Sequence, residues 1–430
     1  MMRADKRRFE KAGSLHYAAC DLSAGVRAGF TLQNGALAHA AAGEYVGSGG
    51  RFALPAGCVP EALYFLRSNA FCAAAYAAGK LYFCAGDGGA FAEVPDVALT
   101  RAPVGVRVYD GGEALVLSDG VSVCELTAEG VAACEGVAPF VCAGYAYERL
   151  WICTDGFRVR FSALRDVHDF ESGGYIDFPD GKGEILAFAD LNNAFYLFRR
   201  FGIQKLIAKG TEDEFALSDV PSPAAEIYGA VCTENGKAYF LAEGGLYSFD
   251  GRASAPLCPD FRPAIAPRGE RGAQMAACRG RIYLSARFGK EEGVGVFRED
   301  GSEGYVLLYG GGALVAADLP AGRRVLFCKD GQFLELCGEK GAAPALWESV
   351  PAAPFGGREG VLEEVVFSAE GSFSVSVRSE YGERRFEVVS EGGTKRFRTS
   401  LRGGEFTFTV LSKGEAGRAF ALAAGYSRRA

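Results

Sequence analysis

The chain has 430 residues, 49% hydrophobic, 12% aromatic and 23% charged, and this apolar content excludes disorder as its main state. A formal net charge of −7 argues against a general nucleic-acid binder, which carries a concentrated basic face. No run approaches about 18 consecutive apolar residues, so no membrane span is expected.

The first residues, MMRADKRRFEKAG, carry Arg3, Lys6, Arg7, Arg8 and Lys11 against Asp5 and Glu10. They form a basic arm without the apolar core of a secretory signal. Residues 1–57 are weakly patterned and are expected to form an N-terminal arm, with a possible strand that closes the next domain.

From residue 58 a period emerges. A Gly- or Asn-containing turn, a short aromatic or β-branched run, a second turn and a second run recur at Gly79, Gly112, Glu148, Asn192, Gly236, Gly280 and Gly322. The spacings are 33, 36, 44, 44, 44 and 42 residues, the period of propeller blades built from four short strands. Runs rich in Val, Ile, Tyr and Phe and bounded by Gly, Asp and Asn fit strands. Asp119-Gly120, Asp155-Gly156 and Asp330-Gly331 offer turn residues for tight hairpins. The spacing predicts a six- or seven-bladed β-propeller over 58–345. Tyr82, Leu115, Ile152, Tyr196, Tyr239, Ile282 and Leu326 should hold equivalent positions in it.

The period fails near Trp347. Residues 346–360, with their Pro- and Gly-rich run, read as a linker. Beyond it, six alternating runs from VLEEVVFS to RAFALAAGYS predict a small β-sandwich over 361–430, giving an all-β chain. This stretch is mildly basic: residues 351–430 hold 12 Lys and Arg against 10 Asp and Glu, leaving −9 for residues 1–350.

Thirteen cysteines form no CxxC pair and mostly sit inside apolar runs, as at Cys84, Cys124, Cys153, Cys328 and Cys337. They read as buried, reduced side chains from a reducing compartment, with Cys84, Cys153 and Cys328 at like points of their repeats. The usual zinc spacings are missing, and nothing recommends any of the three histidines, His16, His39 and His168.

The densest polar segment, residues 165–184, contains Asp166, His168, Asp169, Asp177, Asp180 and Glu184. It does not match the spacing of a calcium loop, and solvated loop carboxylates are the simpler reading. Gly-rich runs at 310–312 and 356–360 lack the Lys-Ser/Thr of a phosphate cradle. Ser162 and Ser285 have no neighbouring base. The basic clusters Arg199, Arg200, Lys205 and Lys395, Arg396, Arg398 read as solvated strand faces. No catalytic, cofactor-binding or metal-binding residue is therefore assigned, no cofactor is expected, and the chain is expected not to be an enzyme.

One segment carries a family resemblance. In residues 151–206, Phe161-Ser162-Ala163-Leu164, Asp169-Phe170, Ile176, Phe178-Pro179, Gly183-Glu184-Ile185 and Gly202-Ile203 occupy the positions of a motif of tail-associated propeller proteins of bacterial viruses. The segment resembles the packaged-DNA-stabilisation and tail accessory proteins of short-tailed phages. The resemblance implies a non-enzymatic virion part, assembled in the host cytoplasm. Its expected partners are other tail or head–tail proteins and copies of itself in an oligomer or ring, without sequence-specific nucleic-acid binding. A propeller that binds or acts on carbohydrate is the alternative.

Overall fold

The computed structural model describes most of residues 60–336 and 351–427, and the backbone of short strands within 15–45 and at 346–348. Seven antiparallel sheets succeed one another along the chain, spanning 62–98, 104–133, 142–177, 185–220, 227–256, 265–307 and 313–335. The last takes its outermost strand from the other end of the sequence: Glu44–Tyr45 pairs with Leu334 and Glu335. These are the seven blades of a β-propeller. The innermost strands of blades seven and one, Ala313–Leu319 and Ala62–Phe65, pack together and close the ring.

The core is divided into seven wedges, one at each joint between consecutive blades. A strand between two wedges is covered on both faces, so its sequence is a continuous apolar run instead of an alternating one. The second strands show this best: Cys72–Ala77, Arg149–Cys153 and Ala194–Arg199 are buried at every position. The turn into the second strand is two residues long in blades three to six. Both residues have positive φ, as at Tyr147-Glu148, Asn192-Asn193, Asn235-Gly236 and Arg279-Gly280. Such turns match the twist of their flanking strands.

Leu115, Ile152, Tyr196, Tyr239, Ile282 and Leu326 all lie on second strands. Tyr82 does not: it lies on the third strand of blade one. The true second strand there is CAAAYA, and alanine is a poor strand signal. The aromatic run after Gly79 therefore took its place in the sequence pattern and shortened the first spacing. Cys84 follows Tyr82 onto the third strand, so it is not equivalent to Cys153 on a second strand. The side chains of Cys328 and Cys337 lie outside the described residues.

Beyond the propeller, three strands of 20, 22 and 21 residues, Gly360–Ser379, Gly382–Gly403 and Thr407–Ser427, replace the six short ones expected. Each folds over near its middle. Phe406 and Tyr426 bracket the last strand, yet their ring centroids are 5.2 Å apart, where an extended strand would part them by about 65 Å. In the first strand Phe367 packs on Phe373 at 5.5 Å, with register shifts between them. The middle strand bends at Gly392 and Gly393, whose φ values of 112° and 147° suit glycine. The two layers so formed share one core and make the sandwich.

The same sheet draws on both flanking regions. Leu15–Cys20 pairs with Leu422–Ser427, so part of the expected arm is a strand of the sandwich. Leu346–Glu348 pairs with Thr409–Leu411, so the expected linker begins as a strand. Among the described residues, no helix is long and apolar enough to cross a membrane.

Candidate functional site

Antiparallel strands alternate direction, so the turns between second and third strands and the connections between blades lie on one face of the disc. The other two kinds of turn lie on the opposite face. On the first face three large apolar side chains stand exposed at corresponding turns of consecutive blades. They are Val121 of blade two (66% exposed), Phe157 of blade three (44%) and Phe201 of blade four (54%).

Each of these turns is held from below. Asp119 Oδ1 accepts from the N–H groups of Val121 and Ser122 at 2.9 and 2.7 Å. Its Oδ2 accepts from the Thr100 N–H and hydroxyl at 2.6 and 2.9 Å. Burial alone would raise the Asp119 carboxyl; the N–H groups of Thr100, Ser122 and Val121 and the Thr100 hydroxyl instead hold it at about 2. Asp155 repeats the arrangement, accepting from the Phe157 and Arg158 N–H groups at 2.9 and 2.8 Å. Gly120 and Gly156, the expected Asp-Gly partners, both have φ of 87°. The third pair, at 330–331, lies outside the described residues.

The connection from blade three to blade four stitches two of these turns together. The Phe178 N–H donates to Phe157 O at 2.9 Å and the Ile185 N–H to Gly156 O at 2.8 Å. From blade four, the Arg200 N–H donates to Glu184 O and the Phe201 N–H to Lys182 O, both at 2.9 Å. The Phe178-Pro179 and Gly183-Glu184-Ile185 residues singled out in the sequence thus form this connector.

Arg199 and Arg200 do not form the expected solvated strand face. Arg199 is 0% exposed. It is ion-paired to Asp180, donates twice to Gly183 O at 2.7 and 3.1 Å, and lies over the Phe178 ring at 5.3 Å. Full pairing is what permits a buried guanidinium. Half-exposed Arg200 bridges Glu184 and Glu226 at 2.6 Å each, which lowers the Glu184 carboxyl below its ordinary value. Lys182 pairs with Asp219 and lowers that carboxyl too. A shallow groove of about 300 Å³ beside Phe201 is lined by Pro223, Ala225, Glu226 and Glu243.

The six polar residues of 165–184 do not form one site. Asp180 and Glu184 belong to the connector, and Asp177 pairs with Arg158 at 2.6 Å on the outer strands of blade three. Asp166 and Asp169 cap turns of the 162–173 loop on the opposite face, each accepting two backbone N–H groups. His168 in this loop reaches blade two. Its Nδ1 is 3.8 Å from Asp110 Oδ2 and its Nε2 is 3.5 Å from Glu125 Oε2. The Cys134 Sγ joins Glu125 and His168, one ligand atom of each lying within 4.8 Å of the others. Burial, then Glu125, pushes the Cys134 thiol up to about 12. Glu125 and Cys134 escaped the sequence reading because no local spacing links them to His168.

Ser162 and Ser285 are buried and structural. Ser162 accepts from the Leu150 N–H at 3.0 Å, and Ser285 donates to Gly312 O at 3.2 Å. The side chains of His16 and His39 lie outside the described residues. The ten cysteines described are thiols and not disulfides, with Cys142 and Cys153 directly opposed across the first two strands of blade three.

No protein-family model and no curated protein matches the chain. Among solved structures it is similar to a streptogramin B lyase, at 12% identity and a TM-score of 0.43 over 75% of this chain and 97% of that one. It is similar to virginiamycin B lyase from Staphylococcus aureus, at 10% identity and a TM-score of 0.43, over 75% of this chain and 98% of that one. Similarity to the Pan2 WD40 domain of Neurospora crassa is 9% identity at a TM-score of 0.42, over 65% of this chain and 88% of that one. The likeness extends to the fold alone.

Proposed function

We propose that the chain is a non-enzymatic structural component of a bacteriophage or prophage tail or head–tail assembly. In this reading it docks other virion proteins through the turn face of blades two to four. The observation that carries the reading is the row of Val121, Phe157 and Phe201, exposed at corresponding turns and fixed by Asp119, Asp155 and the connector beneath them. Apolar groups held out on a rigid support suit protein contact, because little side-chain or loop order is lost when a partner covers them.

The phage assignment draws on the resemblance of residues 151–206. These residues map onto blade three from its second strand and the first three strands of blade four, including the connector that supports Phe157 and Phe201. The protein would act in the virion after assembly in the host cytoplasm, with its own copies and other tail proteins as partners. A glycan-binding or glycan-acting propeller is the alternative that the same experiment addresses.

The test compares wild type with a Phe157→Glu/Phe201→Glu double variant in cells assembling the particle. Wild type should co-purify with particles or with other tail proteins, and the double variant should be lost from them while melting at the wild-type temperature. Equal incorporation of the two forms, or turnover of a glycan or ester by purified wild type, would overturn the reading.

A further inference from the structure

At the outer rim of the joint between blades two and three, three unlike donors converge. Glu125 lies on the third strand of blade two, Val123–Leu126, and Cys134 directly follows its fourth, Val131–Ala133. Glu125 is in register with Ala132, two positions before Cys134, so both side chains fall on the sheet face that meets blade three. That face is where Cys134 packs with Val137, Phe140, Val167 and Phe170.

The third donor arrives on the 162–173 loop of blade three, and its placement is tightly constrained. Val167 and Phe170 anchor the loop in the wedge on either side of His168. The Asp166 carboxylate caps the His168 and Asp169 N–H groups at 3.1 and 3.2 Å. The chain leaving Cys134 passes so close that a Cβ at Gly136 would stand 2.3 Å from His168 O. With φ of 78° as well, position 136 is suited to glycine on two counts.

We propose that Glu125, Cys134 and His168 bind a divalent transition-metal ion, zinc being the best match to their chemistry. A thiolate, an imidazole nitrogen and a carboxylate oxygen together suit zinc, whereas calcium and magnesium prefer sites made of oxygen alone. Mutual separations within 4.8 Å allow one ion to reach all three with small side-chain adjustments. The contact of His168 Nε2 with Glu125 Oε2, at 3.5 Å, is longer than a hydrogen bond and leaves room for an ion between them.

The far side of the ring also faces carboxylates. Nδ1 faces Asp110, with Asp166 beside it. At 3.8 Å from Nδ1, Asp110 needs to close by under about 1 Å to accept the Nδ1–H, and would then orient the ring and direct the Nε2 lone pair at the metal. Three protein ligands leave a fourth position for water or for a group from a partner. On binding, the Cys134 thiol gives its proton to solvent and the thiolate enters the coordination sphere. The ion would pin the loop of blade three to the outer strands of blade two.

The test is titration of the full chain with Co²⁺ and Zn²⁺. Co²⁺ should give a near-ultraviolet thiolate charge-transfer band and visible bands of tetrahedral strength at one equivalent, and Zn²⁺ should displace it. Cys134→Ser should abolish the charge-transfer band. His168→Gln, at a half-exposed position, and Asp110→Asn should each weaken Zn²⁺ binding by roughly 10- to 100-fold. Cys124→Ala is the control, because that thiol packs in the opposite wedge, between blades one and two, and its loss should leave the band intact. Absence of a thiolate band in wild type, or unchanged Zn²⁺ affinity in the folded His168→Gln variant, would overturn the proposal.

Discussion

At the joint between blades three and four, Trp151 is packed against Phe161, Phe195 and Phe215 with ring centroids 4.9 to 5.9 Å apart. Above it Arg199 is enclosed by Asp180, Gln204 and the Gly183 carbonyl. At the joint between blades two and three the wedge is aliphatic for the most part, with Val106, Val108, Val116, Leu150 and Ile152. Its rim holds Glu125, Cys134 and His168, where His168 Nε2 stands 3.5 Å from Glu125 Oε2, longer than a hydrogen bond. At the first joint the Trp151 indole N–H and the Arg199 guanidinium both have partners, so it serves as a support. The second brings His168 near carboxylates at more than hydrogen-bond distance, the geometry on which the proposed metal site rests.

The comparison can be broken most severely at the aromatic wedge. Trp151→Ala should cost about 4 kcal/mol in chemical denaturation, from lost transfer energy, an unfilled cavity and the indole N–H bond to Ala146 O at 2.9 Å. A loss below about 1 kcal/mol would mean that this joint is not the rigid one. Arg199→Ala should cost about 3 kcal/mol in the same measurement, because Asp180 and the Gly183 carbonyl lose the cation they surround.

A third measurement tests how firmly the turn face is held in blade two. With its folded value near 2 against an ordinary 3.8, the Asp119 carboxyl contributes about 2 kcal/mol. This contribution is complete above about pH 4 and is lost as pH falls through 2. Asp119→Ala should remove it at pH 7 and flatten the acid limb of the stability profile. An acid limb unchanged by the substitution would show that Asp119 does not hold the turn. The smallest effect belongs to cysteine: Cys84→Ala should cost only about 1 kcal/mol in denaturant, since a small buried group is lost and no crosslink is.

The blades were legible because each repeats local signals: a tight turn, then an apolar run covered on both faces. Blade one shows the limit of this reading, where Cys72–Ala77 is buried throughout yet is mostly alanine and carries little strand signal. In the sandwich, the Gly-containing breaks near 371 and 392–393 look like turns between strands. They are bends within strands, because a glycine at positive φ serves either purpose. Arg199 was misread for a related reason. A basic residue in FRRFG signals exposure unless its partners are known, and Asp180 and Gly183 come from the preceding connection. The donors at Glu125, Cys134 and His168 are separated by 9 and 34 positions and are brought together only by the stacking of one blade on the next.

The central claim, that the turn face of blades two to four is the docking surface, is tested most directly by site-specific photo-crosslinking in cells that assemble the particle. A photoreactive residue at position 201 should crosslink to another virion protein. One at position 164, exposed on the opposite face, should give no such product. Crosslinks to virion protein from 164 alone, or from neither position in particles that contain the chain, would contradict the account.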